Sequence, residues 1–251
     1  MVYLRDKTEI DAIRASAQLV ARTLEMLARE VRPGVTTAEL DRMAESFILD
    51  HGARPAFKGY RGFPASICPS VNDEVVHAIP GERRLVEGDI IGIDVGVEKD
   101  GYFGDAAFTF PVGEVDGRAA TLLRVTREAL LRGIEHARAG ERVGDISHAI
   151  QSHAELHGFT VVRELLGHGI GRQMHEDPQV PNFGPPARGP RLMAGQVLAI
   201  EPMVNAGGSE VRTQPDGWTV VTRDHALSAH FEHTVAVGAD GPEILSGSQL
   251  W

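Results

Sequence analysis

The spacing of apolar residues in the first fifty positions predicts two helices. Residues 8–31 carry Ile, Leu and Val at helical intervals, and this pattern stops before a Pro-Gly pair. A second helix is predicted over residues 37–50. Thr36 and Glu39 stand three residues apart at its start, which is the spacing of a capping box, and a His-Gly pair follows its end.

The same order of elements recurs in the second part of the chain. Helical spacing predicts a helix over residues 116–137, with Asp116 as its cap, and another over residues 143–157. The pattern therefore predicts an α+β fold, a pseudo-two-fold repeat of helices packed on antiparallel β-sheet. Strand-like segments follow each helical pair, at 65–78 and 90–113 and then at 159–166, 195–204, 217–223 and 228–237.

Length, composition and charge narrow the class of protein. The 251 residues are 42% hydrophobic and 24% charged, as in ordinary soluble globular proteins, and they suffice for a sizeable core. We predict one domain over residues 1–251, with halves of about 1–115 and 116–251. The formal net charge of −10 argues against broad nucleic-acid binding, because no basic excess is available to neutralise phosphates.

Three features of the sequence bear on the cellular compartment. A single cysteine, Cys68, rules out an intrachain disulfide and fits a reducing environment. The start of the chain lacks the apolar segment of a signal peptide. No apolar run approaches the roughly 18 residues that span a bilayer. The sequence therefore predicts a cytoplasmic protein without membrane association.

The segment IIGIDVGVEKDGYFGDAAFTFPVG, residues 90–113, places two carboxylates among apolar residues. The Asp-Gly pair within it is a strong signal for a β-hairpin. If Glu98 and Gly101 close the turn, Asp94 and Asp105 are directly opposite each other, where like charges destabilise a sheet. Divalent cations beside them would remove that repulsion, so the hairpin points to a metal site.

Five further ionisable residues stand where strands or tight loops are predicted: His77, His168, His175, Glu201 and Glu232. Taken singly, each could be an ordinary solvated or packing residue. Taken together, four carboxylates and His168 would supply oxygen-rich coordination for one or two divalent cations, which suits Mn, Fe or Co better than a thiolate zinc site. Such a centre activates water, so hydrolysis is predicted, with amide, ester and phosphate bonds left open.

The motifs IDVGVEKDGYFGDAAFTF, GHGIGRQMHEDPQVPNFG, LAIEPMV and SAHFEHTVAV occur in this order. The set closely resembles the type I methionine aminopeptidases, which belong to the pita-bread metallopeptidases. The resemblance implies the pita-bread fold and removal of the initiator methionine from nascent polypeptides whose second residue is small. It also implies two divalent cations per chain (Mn, Fe, Co or Zn), held by Asp94, Asp105, His168, Glu201 and Glu232.

The resemblance further implies roles in catalysis and in substrate binding. Glu201 would be the general base, His175 would hydrogen-bond the scissile carbonyl oxygen, and His77 would contact the scissile amide nitrogen. Phe57 is larger than the family pattern expects, and Met174 stands where Phe is expected. The sequence therefore does not determine the shape of the methionine pocket. That pocket would consist of Tyr60, Phe63, Cys68 and Trp218, with Phe57 and Met174 at its edge.

Two alternatives come from relatives with the same fold. X-Pro aminopeptidases and prolidases carry a domain ahead of the catalytic one, whereas here the pattern begins near residue 8 and no N-terminal extension is expected. Non-catalytic binding proteins on this fold lose metal ligands, and all five are present here. The expected partners are nascent polypeptide N-termini, with a transient ribosome contact, no direct nucleic-acid specificity and a monomeric state.

Overall fold

The computed structural model describes residues 2–251, and its helices confirm the four that the sequence predicts. Thr36 and Glu39 form the predicted capping box, and the Asp116 side chain accepts a hydrogen bond from the Ala119 backbone N–H. Within residues 2–251, no helix is long and apolar enough to cross a membrane. The helices are α1 (Lys7–Ala28), α2 (Thr37–Asp50), α3 (Gly117–Glu135) and α4 (Val143–Leu156).

Fifteen strands occur in the described part of the chain, and many are short. They are β1 (Arg54–Pro55), β2 (Ile67–Val71), β3 (Glu74–Val76), β4 (Ile90–Lys99), β5 (Tyr102–Pro111), β6 (Thr160–Val161), β7 (Leu166–Gly169), β8 (Glu176–Pro181), β9 (Val197–Ile200), β10 (Met203–Asn205), β11 (Val211–Thr213), β12 (Val220–Thr222), β13 (Ser228–His230), β14 (His233–Val237) and β15 (Pro242–Ile244).

The strands form antiparallel sheets that follow the repeated order of the elements. In the first half, β4 pairs with β5 along one edge and with β2 and β1 along the other. In the second half, the largest sheet has the order β15-β14-β9-β7-β8. Two three-stranded sheets, β13-β10-β6 and β11-β12-β3, complete the fold, and the pairing of β3 with β12 links the two halves.

The hairpin of β4 and β5 forms as predicted, but its register differs. Asp100 and Gly101 make the two-residue turn with positive φ angles of 53° and 81°, which an Asp-Gly pair favours. Asp94 therefore pairs with Ala107, and the expected pairing of Asp94 with Asp105 is wrong. Because the register shifts by two positions, the alternation of faces is kept, and both carboxylates still point to one side of the sheet.

Two predicted strands are interrupted at the glutamates that the sequence singled out. Residues 195–204 break at Glu201 and Pro202, where proline cannot donate to the ladder. Residues 228–237 break at Phe231 and Glu232, since the Glu232 N–H bonds instead to the Ala107 carbonyl of β5, at 2.9 Å. Both breaks turn a carboxylate away from regular sheet pairing and towards the same region.

Strand β5 and the segment around Glu232 join the two halves. The Thr234 hydroxyl accepts a bond from the Asp105 N–H at 3.0 Å and donates to the Asp105 carbonyl at 2.7 Å. The Thr109 hydroxyl does the same for the His230 N–H and carbonyl, at 2.9 and 2.7 Å. Side chains on either side of this seam are therefore fixed relative to one another.

Helix α1 lies so close to β5 that only glycine fits at Gly104. A Cβ at this position would lie 2.6 Å from the Ala17 Cα and 2.8 Å from the Ser16 carbonyl carbon. We expect Gly104→Ala to lower the free energy of unfolding by about 1–3 kcal/mol, because backbone must move to relieve the overlap. Urea unfolding measures this change, and Gly117→Ala, where a Cβ meets nothing within 4 Å, is the control. Equal effects of the two substitutions would contradict the packing argument.

Candidate active site

The acidic residues of the hairpin face a cavity between the two halves. Asp94 and Asp105 lie on one face of the β4–β5 hairpin, and their carboxyl groups are close enough to affect each other's pKa. Asp105 is buried, and Oδ1 of each aspartate has no hydrogen-bond partner among the described residues. Unpaired buried carboxylate oxygens are costly, so this arrangement calls for a cation or a proton.

The second half supplies an imidazole and two more carboxylates. His168 is on β7, Glu201 follows β9, and Glu232 lies between β13 and β14. His168 Nε2 is 3.6 Å from Glu201 Oε1 and 3.9 Å from Asp105 Oδ2. One ligand atom from each of Asp105, His168 and Glu232 lies within 4.8 Å of the other two.

Burial and mutual repulsion govern the protonation of the carboxylates. Burial raises the pKa of Asp94 to about 7. The pKa of Asp105 is raised well above its ordinary value by burial and by the charges of Glu232 and Asp94. Burial and neighbouring carboxylates also raise the pKa values of Glu201 and Glu232. A bound divalent cation would lower all four pKa values, because its charge attracts the ionised carboxylates.

His168 presents a lone pair to this cluster. Its Nδ1 lies 2.9 Å from the Gly169 carbonyl oxygen, which can only accept, so Nδ1 carries the proton. Burial lowers the pKa of His168 to about 4, so the ring is neutral at neutral pH and Nε2 is free to coordinate. A backbone carbonyl that fixes the tautomer in this way is typical of metal-ligating histidines.

The cluster opens into a cavity of ≈ 130 Å³ that has one polar and one apolar wall. The structure brings together all the residues that the sequence predicts for the site except Met174, which is buried beside Phe57. The polar wall contains His77, Asp94, Asp105, His168, His175, Glu201 and Glu232; the apolar wall contains Phe57, Tyr60, Phe63, Cys68 and Trp218.

The apolar wall is built from rings and a buried thiol. Phe63 and Trp218 meet edge to face, with ring centroids 5.2 Å apart. Burial raises the pKa of the Cys68 thiol well above its ordinary value, so it is protonated and behaves as a small apolar group. Phe57 and Met174 fill one space over Gly96, where an added Cβ would lie 2.6 Å from Phe57 Cε1 and 3.0 Å from Met174 Cε.

His175 is held at the mouth of the cavity by Tyr60. The Tyr60 hydroxyl lies 2.9 Å from His175 Nδ1, and the two rings stack with centroids 5.3 Å apart. Burial, followed by the nearby His168, lowers the pKa of His175 to about 3, so the ring is neutral. When Nδ1 accepts from the tyrosine hydroxyl, Nε2 carries the proton and can donate to a substrate.

The loop that carries His175 is braced from the start of the chain. The buried Glu176 carboxylate accepts two bonds from Arg5, at 2.5 and 2.6 Å. Glu176 Oε1 also accepts from the Arg172 and Gln173 N–H groups, at 2.9 and 3.0 Å. Buried charge pairs with several hydrogen bonds hold a loop in one geometry, and here that geometry places His175.

His77 adopts a left-handed backbone conformation with φ of 59°, directly after β3. A residue with a Cβ rarely adopts this conformation, and strained backbone of this kind is found more often at functional sites than elsewhere. Burial lowers the pKa of His77, so its ring is also neutral at neutral pH.

Two residues of the site were not predicted from the sequence. Arg61 lines the cavity and lies over the Tyr60 ring, 5.3 Å from its centroid. His230 Nε2 lies 3.7 Å from Glu201 Oε2, and burial lowers the pKa of His230 to about 3. Strand alternation from the sequence puts His230 on the same face as Glu232 without making it a ligand, whereas no local signal indicates Arg61.

Size alone does not identify the site. A larger cleft of ≈ 530 Å³ lies beside the first turn of α4, and its wall is mainly proline, glycine and apolar side chains. The smaller cavity is distinguished by its converging carboxylates and shifted pKa values, which are the features that mark catalytic sites.

Nearly the whole chain is similar in sequence to one family of metallopeptidases. The sequence model of metallopeptidase family M24 matches residues 11–239. The chain is 55% identical to the methionine aminopeptidase of Clostridium perfringens over 98% of its own length and 99% of the relative's. It is 52% identical to methionine aminopeptidase 1 of Bacillus subtilis, with the same coverage of both chains.

A solved structure agrees with the sequence relatives. The crystal structure of methionine aminopeptidase from Rickettsia prowazekii superposes with a TM-score of 0.97 at 44% identity. The match covers 98% of this chain and 100% of the other chain.

Proposed function

The chain belongs to metallopeptidase family M24, and from that premise we propose that it removes the initiator methionine from polypeptides whose second residue is small. It has the pita-bread α+β fold and is a metal-dependent aminopeptidase. The main support for this function is the full-length similarity to methionine aminopeptidases, together with the carboxylates that converge beside an apolar cavity. An X-Pro aminopeptidase or a non-catalytic binding protein is not favoured.

The donor set of the cavity fits divalent metal ions. Three buried oxygens of this set, Asp94 Oδ1, Asp105 Oδ1 and Glu232 Oε1, have no hydrogen-bond partner among residues 2–251 and are suitable ligand atoms for a cation. We assign two Mn, Fe, Co or Zn ions to Asp94, Asp105, His168, Glu201 and Glu232. When bound, they supply Lewis acidity and lower the pKa of water.

Side chains of the cavity would transfer protons and bind the scissile peptide bond during hydrolysis. Glu201 Oε1 or Oε2 accepts the proton of the attacking water and passes it to the departing amine. His175 Nε2 donates to the scissile carbonyl oxygen, where negative charge develops. His77 contacts the scissile amide nitrogen and helps the amine to leave. The substrate's free α-amine would bind at the metal centre that the carboxylates of Asp94 and Asp105 hold, so only the first peptide bond of a chain would be cleaved.

The apolar wall binds the methionine side chain. Tyr60, Phe63 and Trp218 offer ring faces and edges, and the protonated Cys68 thiol offers a soft contact for a thioether. Phe57 and Met174 close the edge over Gly96, where the two side chains share one volume. The larger residue at position 57 and the smaller one at position 174, relative to the family pattern, therefore fill about the same total space at the edge of the pocket.

The substrates are the N-termini of nascent polypeptides. We further propose that the protein acts as a cytoplasmic monomer that contacts the ribosome transiently, and that residues 1–251 form one catalytic unit with halves of about 1–115 and 116–251. The net charge of −10 argues against general affinity for RNA, so such a contact would have to use a limited basic area.

Peptide cleavage by metal-stripped protein tests the function directly. With Mn²⁺ or Co²⁺ restored, we expect release of methionine from Met-Ala-Ser, little release from Met-Lys-Ser and none from an X-Pro peptide. A larger second side chain has less room beside the carboxylates. Preferred cleavage of the X-Pro peptide would replace this proposal with a prolidase-like activity, and no cleavage by folded, metal-loaded protein would favour a binding protein.

Metal affinity should rise with pH. The raised pKa of Asp94, about 7, means that a cation must displace a proton from this site at lower pH. Binding therefore becomes tighter as pH increases from 5 to 7, by about tenfold per pH unit for each proton released. Calorimetric titration with Mn²⁺ in two buffers of different ionisation enthalpy measures both the affinity and the protons. An affinity that is independent of pH would contradict proton displacement.

A further inference from the structure

A second cluster of metal-ligand side chains lies outside the cavity, where α3 packs against α4. Glu128 comes from α3, and His153 and His157 come from the last turn of α4 and its cap. One ligand atom from each of the three lies within 4.8 Å of the other two. None of the three takes part in the proposed hydrolysis.

The side chains of this cluster are close enough for one ion to join all three. His153 Nε2 makes a hydrogen bond of 2.9 Å with Glu128 Oε2, and the rings of His153 and His157 have centroids 4.6 Å apart. An ion at this site would take the place of the proton between His153 and Glu128. Ligands of a tetrahedral zinc ion with bonds of about 2.0–2.1 Å are about 3.3 Å from one another. Two histidines four residues apart present their rings on one helix face, as in helical zinc motifs.

The helix end fixes the tautomer of His157. Its Nδ1 lies 2.8 Å from the His153 carbonyl oxygen, which can only accept, so Nδ1 donates and Nε2 keeps its lone pair. Outer hydrogen bonds of this kind orient imidazoles for metals. His157 is exposed and His153 is buried, so an ion could reach the cluster from the His157 side.

Solvent access and charge define which ion fits. The cluster borders an open depression of ≈ 430 Å³, which leaves room for water to complete a coordination sphere. Arg124 bonds both oxygens of Glu128, at 2.8 and 3.0 Å, and Arg132 lines the same depression, so a cation meets some repulsion. Two imidazoles and one carboxylate favour Zn²⁺ or Ni²⁺ over Mn²⁺.

We propose that Glu128, His153 and His157 form a surface site for Zn²⁺ or Ni²⁺ that ties α3 to α4, separate from the catalytic cavity. It offers more nitrogen than the cavity does, so the two sites differ in ion preference. Because the ligands come from two helices, a bound ion resists their separation and stabilises the second half of the fold.

Equilibrium dialysis of the full chain against micromolar Ni²⁺, with metal counted by mass spectrometry, tests the site. We expect His157→Ala to bind one ion fewer than wild type, and Glu128→Gln to weaken that ion at least about tenfold. His148→Ala, which removes an exposed histidine of the same helix outside the cluster, is expected to match wild type. With Mn²⁺, all four proteins should bind equally.

The Asp105→Asn variant distinguishes Ni²⁺ binding at this site from Ni²⁺ binding in the catalytic cavity. In that background, Ni²⁺ should still raise the Tm, and His157→Ala should remove the increase. Circular dichroism without metal establishes that each variant is folded, and Glu128→Gln retains the test if His157→Ala unfolds. Equal Ni²⁺ stoichiometry in wild type, His157→Ala and Glu128→Gln would overturn the site, as would an equal loss in His148→Ala.

Discussion

Asp105→Asn is expected to lower kcat/KM for Met-Ala-Ser by more than about 1,000-fold, or about 4 kcal/mol of transition-state stabilisation. Asp105 is central to the proposed metal site, because it faces Asp94, His168 and Glu232 and its buried Oδ1 has no hydrogen-bond partner in the described part of the chain. An amide carries no charge and offers one oxygen, so metal should be lost together with activity. Peptide assays and metal content by mass spectrometry measure the two losses.

Although Asp105→Asn should abolish most activity, it should increase the stability of the metal-free folded protein. The raised pKa of Asp105 means that ionising it destabilises the metal-free folded state as pH rises. Asp105→Asn removes that charge, so the metal-free variant should have a higher Tm than wild type, and the difference should be larger at pH 8 than at pH 5. Restored Mn²⁺ should then stabilise wild type but not the variant.

Glu98→Gln is the matched control for Asp105→Asn. Glu98 lies on the same hairpin, where it bonds Arg54 and the Gly101 N–H outside the cavity. Its replacement should leave metal content and kcat/KM unchanged within about twofold, because its hydrogen bonds go to Arg54 and Gly101 and not to residues of the cavity. Retained activity and metal in Asp105→Asn would refute the proposed ligand set.

His175→Ala is expected to lower kcat about 100- to 1,000-fold with little change in KM, as for loss of a donor to a developing oxyanion. Its Nε2 is proposed to donate where charge appears during the reaction, and the residue is not a proposed metal ligand. Metal content should therefore stay at the wild-type value. Tyr60→Phe keeps the ring but removes the hydroxyl beside Nδ1, so a smaller loss of about tenfold is expected.

Kinetics and metal content measured on the same preparations distinguish this role from others. His148→Ala, an exposed histidine on α4, should behave as wild type. If His175→Ala loses metal in parallel with activity, the residue acts on the metal site and not on the carbonyl oxygen. If KM rises while kcat is unchanged, His175 contributes uniform binding and the proposed role is wrong.

Much of the architecture could be predicted from the sequence because its signals are local. Apolar spacing predicts all four helices, and short-range chemistry predicts the Thr36–Glu39 capping box and the cap at Asp116. The Asp100-Gly101 turn predicts the hairpin for the same reason. The acidic residues of the cavity could be singled out because ionisable side chains within apolar segments conflict with burial unless something compensates them.

The geometry of the site was beyond sequence reasoning because it depends on distant parts of the chain. The exact turn sets the pairing of Asp94 with Ala107, and a pairing error of two positions leaves the sequence pattern unchanged. The breaks at Glu201 and Glu232 depend on partners across the seam, such as the Ala107 carbonyl. The left-handed conformation of His77 and the position of Arg61 likewise have no periodic signal.

The sequence by itself determined the helices and the hairpin, since these follow from neighbours within a few positions. It also determined the family resemblance and the candidate catalytic and metal-binding side chains, since these follow from residue types and their order along the chain. The tertiary structure alone decided that Thr234 binds Asp105, that Arg5 braces the loop of His175, and that the carboxylates of both halves meet. Those contacts join residues more than one hundred positions apart. Their formation depends on how the helices and sheets pack as a whole, which no local pattern encodes.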